Sequence, residues 1–128
     1  MITDISPSIR SILAPNPSPM MGSGTNTYVI QGSQGAVIID PGPDLAAHRA
    51  ALIQAIHDTP IMGILTTHAH IDHTELAPWL SAQTGAPVMS FGGADLGRRA
   101  DWDGLDSGEG VDVMHKPDLI LADGQIID

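Results

Sequence analysis

"IMGILTTHAHIDH", residues Ile61 to His73, joins a short apolar run to a segment holding three of the chain's six histidines and a carboxylate. Histidine is a poor core residue and a costly one for mere solvation, so a cluster this dense asks for a chemical reason. "IMGIL" reads as a short buried strand, and in an open α/β sheet sites form beyond the carboxyl ends of strands. In His68-Ala69-His70 the imidazoles are two positions apart, so an extended backbone turns both to the same side. Two nitrogens on one side can bind one metal. Asp72 and His73 follow on the turn into the next helix, close enough to bind a second metal or complete the first. The chain has no cysteine, so any metal must be held by imidazole and carboxylate. Such a set suits zinc, with Fe or Mn open at the carboxylate-bearing half.

Each residue alone has a plainer reading. His70 could be an ordinary loop histidine. "DHTE" resembles a capping box, in which Asp72 caps the helix and Glu75 reaches back. The joint pattern of three histidines and an aspartate behind a buried strand favours the metal. His48 and His57, on a helix pattern, are expected to face solvent or cap, and His115 to have a structural or surface role.

The flanks of the motif spell out an α/β layer. "HTELAPWLSAQTG" (73–85) predicts a helix ending at Gly85, with Pro78 tolerable in its first turns, and "PVMSF" (87–91) a further strand. Upstream, "TYVIQGSQGAVIIDPGPD" (27–44) predicts a strand, a Gly-rich turn and a second strand stopped at Asp40 by "DPGP". "LAAHRAALIQAIH" (45–57) places Leu45, Leu52, Ile53 and Ile56 at helical spacing behind Asp44 as N-cap. Strands alternating with helices indicate one α/β sheet. The Pro- and Gly-rich opening, "PSIRSILAPNPSPMMGSGTNTY" (7–28), predicts a long irregular loop. Residues 92–118 have no clear period. "LILADGQIID" (119–128) reads as a strand, an Asp-Gly turn and the start of a returning strand, as though the fold continued further.

Composition bounds the rest. A hydrophobic fraction of 42% over 128 residues permits one domain with a real core. Fifteen acidic residues against five basic ones give a net charge of −10, a surface that repels phosphate backbones and argues against nucleic acid. No apolar run approaches the roughly 20 residues of a membrane span, and no signal-peptide pattern opens the chain. The reading is a cytoplasmic protein without a membrane segment.

The pattern H-x-H-x-D-H, His68 to His73, resembles the signature of the metallo-β-lactamase-fold hydrolases. "PNPSPMMGSGTNTYVI", "AVIIDPGPD" and "PDLILADGQIID" extend the resemblance over nearly the whole chain, to the N-terminal half of the β-lactamase-like and glyoxalase II-like branch and related endoribonucleases. The resemblance implies an α/β fold, the N-terminal half of an αββα sandwich. It implies two zinc ions, His68 and His70 serving the first and Asp72 and His73 the second, with Asp40 supporting the site. A further metal-binding His, a bridging Asp and a last His of the family have no counterpart in residues 1–128, and His115 precedes the segment where the first of them would lie. The implied activity is hydrolysis of an ester, thioester, lactam or phosphodiester in a small-molecule substrate by a metal-bound hydroxide. Asp72 would orient that hydroxide and carry its proton as a catalytic residue. Two alternatives remain open: a catalytically incomplete metal-binding fragment, and an RNA-processing relative. A domain lacking its C-terminal part would expose an apolar sheet face, so association with further copies or with a C-terminal half is expected.

Overall fold

The structure is a computed structural model that describes residues 1–19, 21–92, 111–112 and 114–127. Seven strands form one sheet in the order of the sequence: β1 (Ile2–Ser6), β2 (Ile9–Leu13), β3 (Asn26–Gln31), β4 (Ala36–Ile39), β5 (Ile61–Leu65), β6 (Val88–Ser90) and β7 (Leu119–Ile120). The first four are antiparallel neighbours. From β4 onward the pairing is parallel; between β4 and β5 and between β5 and β6 helices carry the chain back, as parallel neighbours require. Those returns are made by α1 (Ala46–Ala55) and by α2 (Ile71–Thr74) with α3 (Ala77–Thr84).

The helices cover one face. Ile12, Val29, Ile38 and Ile64 point from four successive strands into a core closed by Leu52, Leu76 and Leu80. Strand alternation sends Ile30, Val37 and Ile39 to the opposite face, where they remain half-buried or exposed. With Met62, Leu65 and Ile127 they line a groove of about 520 Å³.

Several expectations are corrected. Residues 2–13 are a β-hairpin rather than part of an opening loop, with Ile2 opposite Ile12 and Asp4 opposite Arg10. Pro7 and Ser8 make its turn, and the Arg10–Asp4 ion pair at 2.7 Å ties the two strands. Of the expected loop over 7–28, the described residues that are irregular lie between β2 and β3. The helix expected over 73–85 is two pieces, because Pro78 lacks an amide hydrogen and sits where a new helix can begin. Gly85 closes the second piece at φ 75, the left-handed conformation that favours glycine. Asp44 does not cap α1. The residue before the helix is Leu45, without a side-chain cap bond, and Asp44 instead binds Arg49 through two contacts of 2.6 and 2.7 Å. Ile53 lies on the outer side of α1, 43% exposed. The Asp-Gly turn forms, with Gly124 at φ 77, but residues 125–127 add no returning strand. The unperiodic stretch 92–118 falls largely on residues outside the described ones. Among the described residues no helix is long and apolar enough to cross a membrane.

Candidate metal centre

Strand β4 ends just before Asp40 and β5 just before Thr66, so the two parallel neighbours deliver both segments to the same edge of the sheet. Asp40 has φ 53, an uncommon conformation for a residue with a side chain. That twist turns its carboxylate under the histidine segment. Oδ1 accepts from the Thr67 amide at 2.8 Å. Oδ2 accepts from the Thr67 hydroxyl at 2.7 Å and from His73 Nδ1 at 2.9 Å. Both oxygens are therefore committed to holding their neighbours.

These bonds assign the ring protons. The Thr67 hydrogen goes to Asp40, so Thr67 Oγ1 can only accept from His68 Nδ1, 2.9 Å away. His68 then carries its proton on Nδ1 and presents a bare Nε2. His73 likewise donates from Nδ1, which leaves Nε2 facing the Asp72 carboxylate at 3.2 Å. Two acceptors at that distance repel unless a proton or a cation lies between them.

The three rings gather. His68 and His70 stand edge-on with centroids 4.7 Å apart, and His68 and His73 are tilted at 4.2 Å. One ligand atom from each of Asp40, His68 and His73 falls within 4.8 Å of the others. Asp72 is fixed from the opposite side by the Thr25 hydroxyl at 2.6 Å. Burial pushes the His68 pKa down, helped by His73 and His70 and opposed by Asp40 and Asp72. Asp40 is pulled both ways: burial raises its pKa, but the bonds from His73 and Thr67 win and hold it below the usual carboxylate value. His73 is raised by its bond to Asp40, against its burial. A neutral imidazole, a second ring oriented by a carboxylate, and a facing carboxylate form a donor set that fits a divalent cation.

Among the described residues the ligand atoms that converge are those of Asp40, His68 and His73, so the structure adds Asp40 to the expected set; His70 stands beside the His68 ring and Asp72 beside His73, and neither is part of that group. The structure departs from the capping-box reading, because Asp72 lies within the first turn of α2 and Glu75 Oε2 accepts from the Asp44 amide at 2.8 Å. His48 is neither solvent-facing nor a cap. It is 1% exposed, with Nε2 at 3.0 Å from both the Pro41 carbonyl and the Thr27 hydroxyl. His57 is exposed beside Asp58. His115 is buried, 3.0 Å from the hydroxyl of Thr66. Asp112 accepts from the Thr74 hydroxyl at 2.7 Å, and its amide donates to the Ala69 carbonyl at 2.7 Å.

Thr25, Thr67, Asp112 and His48 were not anticipated. Only His48 carried a readable signal, since it stands four residues before Leu52 and seven before Ala55, on the buried stripe of α1.

The family model described as the Metallo-beta-lactamase superfamily matches residues 20–125. A lactamase-like protein of Penicillium aethiopicum is 36% identical over 83 residues, covering 63% of this chain and 27% of that protein. An atrochrysone carboxyl ACP thioesterase of Aspergillus fumigatus is 36% identical over 78 residues, 59% of this chain and 25% of that protein. Among solved structures, an HARLDQ-motif mutant of a metallo-β-lactamase from Cronobacter sakazakii superposes with a TM-score of 0.65 at 23% identity, over 97% of this chain and 48% of that one. The chain spans about a quarter of the length of the two curated relatives.

Proposed function

Because the chain belongs to the metallo-β-lactamase superfamily, we propose that it supplies the metal-binding half of a metal-dependent hydrolase that cleaves an activated acyl bond, a thioester or ester first of all. The observation that carries this reading is the convergence of one ligand atom each from Asp40, His68 and His73 within 4.8 Å, together with the bare Nε2 of His68. His68, His70, Asp72 and His73 would hold the metal, zinc in preference to Fe or Mn. Asp40 would orient two of them through His73 Nδ1 and Thr67. A bound divalent cation acidifies water and polarises the bond to be cleaved.

The protein's own groups do the rest. The carboxylate of Asp72, anchored by Thr25, is the group suited to accept a proton at the site and return it to the leaving atom. Asp40 keeps the His73 ring in one tautomer, so its free nitrogen cannot swing away. The thioesterase among the relatives supports the choice of acyl substrates. The net charge of −10 speaks against the RNA-processing alternative.

A second reading, metal binding without turnover, is favoured by the ligand count. Among the described residues Asp40, His68 and His73 bring their ligand atoms together, but both Asp40 oxygens are already engaged by Thr67 and His73, whereas a catalytic zinc commonly keeps three protein ligands and an open position. Zinc titration by calorimetry, coupled to release of thiol from an aryl thioester, separates the two. We expect zinc binding that His68→Ala weakens at least about tenfold, and turnover that rises when a C-terminal half from one of the relatives is fused to the chain. Unchanged zinc affinity in His68→Ala overturns the metal reading. Binding without turnover in both forms leaves the second reading standing.

A further inference from the structure

The turn Asp40-Pro41-Gly42 is the hinge on which the candidate metal centre rests. Its carboxylate holds His73 and Thr67, and the Gly42 amide donates to the His73 carbonyl at 3.1 Å. Asp40 keeps this position at φ 53, a conformation that persists in a non-glycine residue only when its surroundings impose it. What imposes it lies on α1 and β3. Thr27 donates its hydroxyl hydrogen to the Asp40 carbonyl at 2.6 Å. That hydroxyl can then only accept, and so can the Pro41 carbonyl. His48 Nε2, 3.0 Å from each, must therefore carry the ring hydrogen and share it between them. Among the described residues the ring's other nitrogen, Nδ1, is buried without a partner, so hydrogen bonding fixes the ring through Nε2 alone. A Cβ at position 42 would stand 2.5 Å from His48 Nε2, so Gly42 lets the ring come this close to the turn.

We propose that His48 is a positioning residue for the metal centre: by donating from Nε2 to Pro41 and Thr27 it locks the Asp40–Gly42 turn, and through Asp40 it sets the orientation of His73 and His68. The inference rests on the metal reading above for its consequence, but the lock itself exists without metal. Glutamine can place an amide donor near the ε position; leucine fills the space and donates nothing. Thr27→Val breaks the same chain at its next link while keeping the shape.

Three variants, His48→Gln, His48→Leu and Thr27→Val, are compared with the unaltered chain, with folding checked by circular dichroism. Cobalt(II) affinity and its visible absorption report the ligand geometry. In the metal-free chain, nitrogen-15 NMR reports whether the His73 Nδ1 proton is retained against solvent exchange. We expect His48→Leu and Thr27→Val to weaken cobalt binding by about 10- to 100-fold, to shift its absorption and to lose the protected His73 proton. His48→Gln should keep all three within about threefold of the unaltered chain, the margin of an ordinary measurement of context-dependent affinity. A folded His48→Leu with unaltered cobalt spectrum and protected His73 proton overturns the proposal, as does a His48→Gln that behaves like His48→Leu. Should His48→Leu fail to fold, Thr27→Val and His48→Gln decide by the same readouts. If the unaltered chain binds no cobalt, the metal reading fails by itself, and the metal-free His73 proton still decides whether His48 locks the turn.

Discussion

Asp40 shows how much one residue can organise: a carboxylate with both oxygens in use, on a backbone bent to φ 53, fastening two histidines of a single motif. The buried histidines around it make stability depend on pH with a definite sign. Burial lowers the pKa of His48 below its ordinary 6.5, against the bond to Pro41. It lowers that of His115 as well, against Asp112. Between each lowered folded value and 6.5 the unfolded chain binds more protons, so their contribution is present above 6.5 and is lost as pH falls through the folded values. His73, raised by Asp40, contributes in the opposite sense: its share is present below the ordinary value and is lost as pH rises through the folded one. Urea midpoints of the metal-free chain, taken from about pH 8 down to about pH 5, should therefore fall on the acid side less steeply in His48→Gln, whose amide cannot titrate, than in the unaltered chain. Equal slopes would mean that folding leaves the proton affinity of His48 unchanged. Adding zinc should raise the unfolding temperature of the unaltered chain and do so less in His68→Ala, since a ligand stabilises only the state that binds it.

At the scale of elements, two of the glycines with left-handed backbones, Gly85 and Gly42, separate local from site-coupled cost. Gly85 ends α3 at φ 75, and a Cβ there meets nothing within 4 Å. Gly85→Ala should cost about 1 kcal/mol, the backbone penalty alone, and leave metal affinity unchanged. Gly42, at φ 98, adds a Cβ contact of 2.5 Å with His48 Nε2. Gly42→Ala should cost more and also weaken metal binding, because the turn it distorts carries Asp40. Thermal unfolding and metal titration of the pair test this, and equal metal affinities would separate the turn from the site. Leu52, fully buried between α1 and the sheet, sets the seating of that helix. Leu52→Ala should lose about 2–5 kcal/mol in urea denaturation.

For the whole molecule, the described residues give the sheet one side covered by helices and one open side that no described helix covers. Ile30, Val37, Ile39, Met62 and Leu65 line the groove of about 520 Å³ on the open side, and an apolar face of this kind favours association. We expect sedimentation to show a concentration-dependent equilibrium between monomer and larger species, and Ile30→Glu with Val37→Lys to shift it toward monomer. Both positions lie on strands away from the histidine motif, so metal binding should survive. A chain that remains monomeric at high concentration, with or without those changes, would contradict the association.

Sequence alone determined strands β3 to β6, helix α1, the stop of β4 just before Asp40 and the clustering of imidazoles after β5, because these depend on alternation, helical spacing and the positions of Pro and Gly. The division of 71–84 into α2 and α3 and the lack of a returning strand at 125–127 were not legible. Short patterns remained ambiguous: residues 2–13 pair as a hairpin, and Ile9–Leu13 also pairs with β3 along its other edge. Tertiary structure alone decided which polar groups meet. Thr25 reaches Asp72 across 47 residues, Thr66 reaches His115 across 49, and His48 reaches Thr27 across 21. No local spacing encodes such pairs. They follow from how α1 and the strand ends pack, and burial then forces each polar atom to find whichever partner that packing leaves within reach.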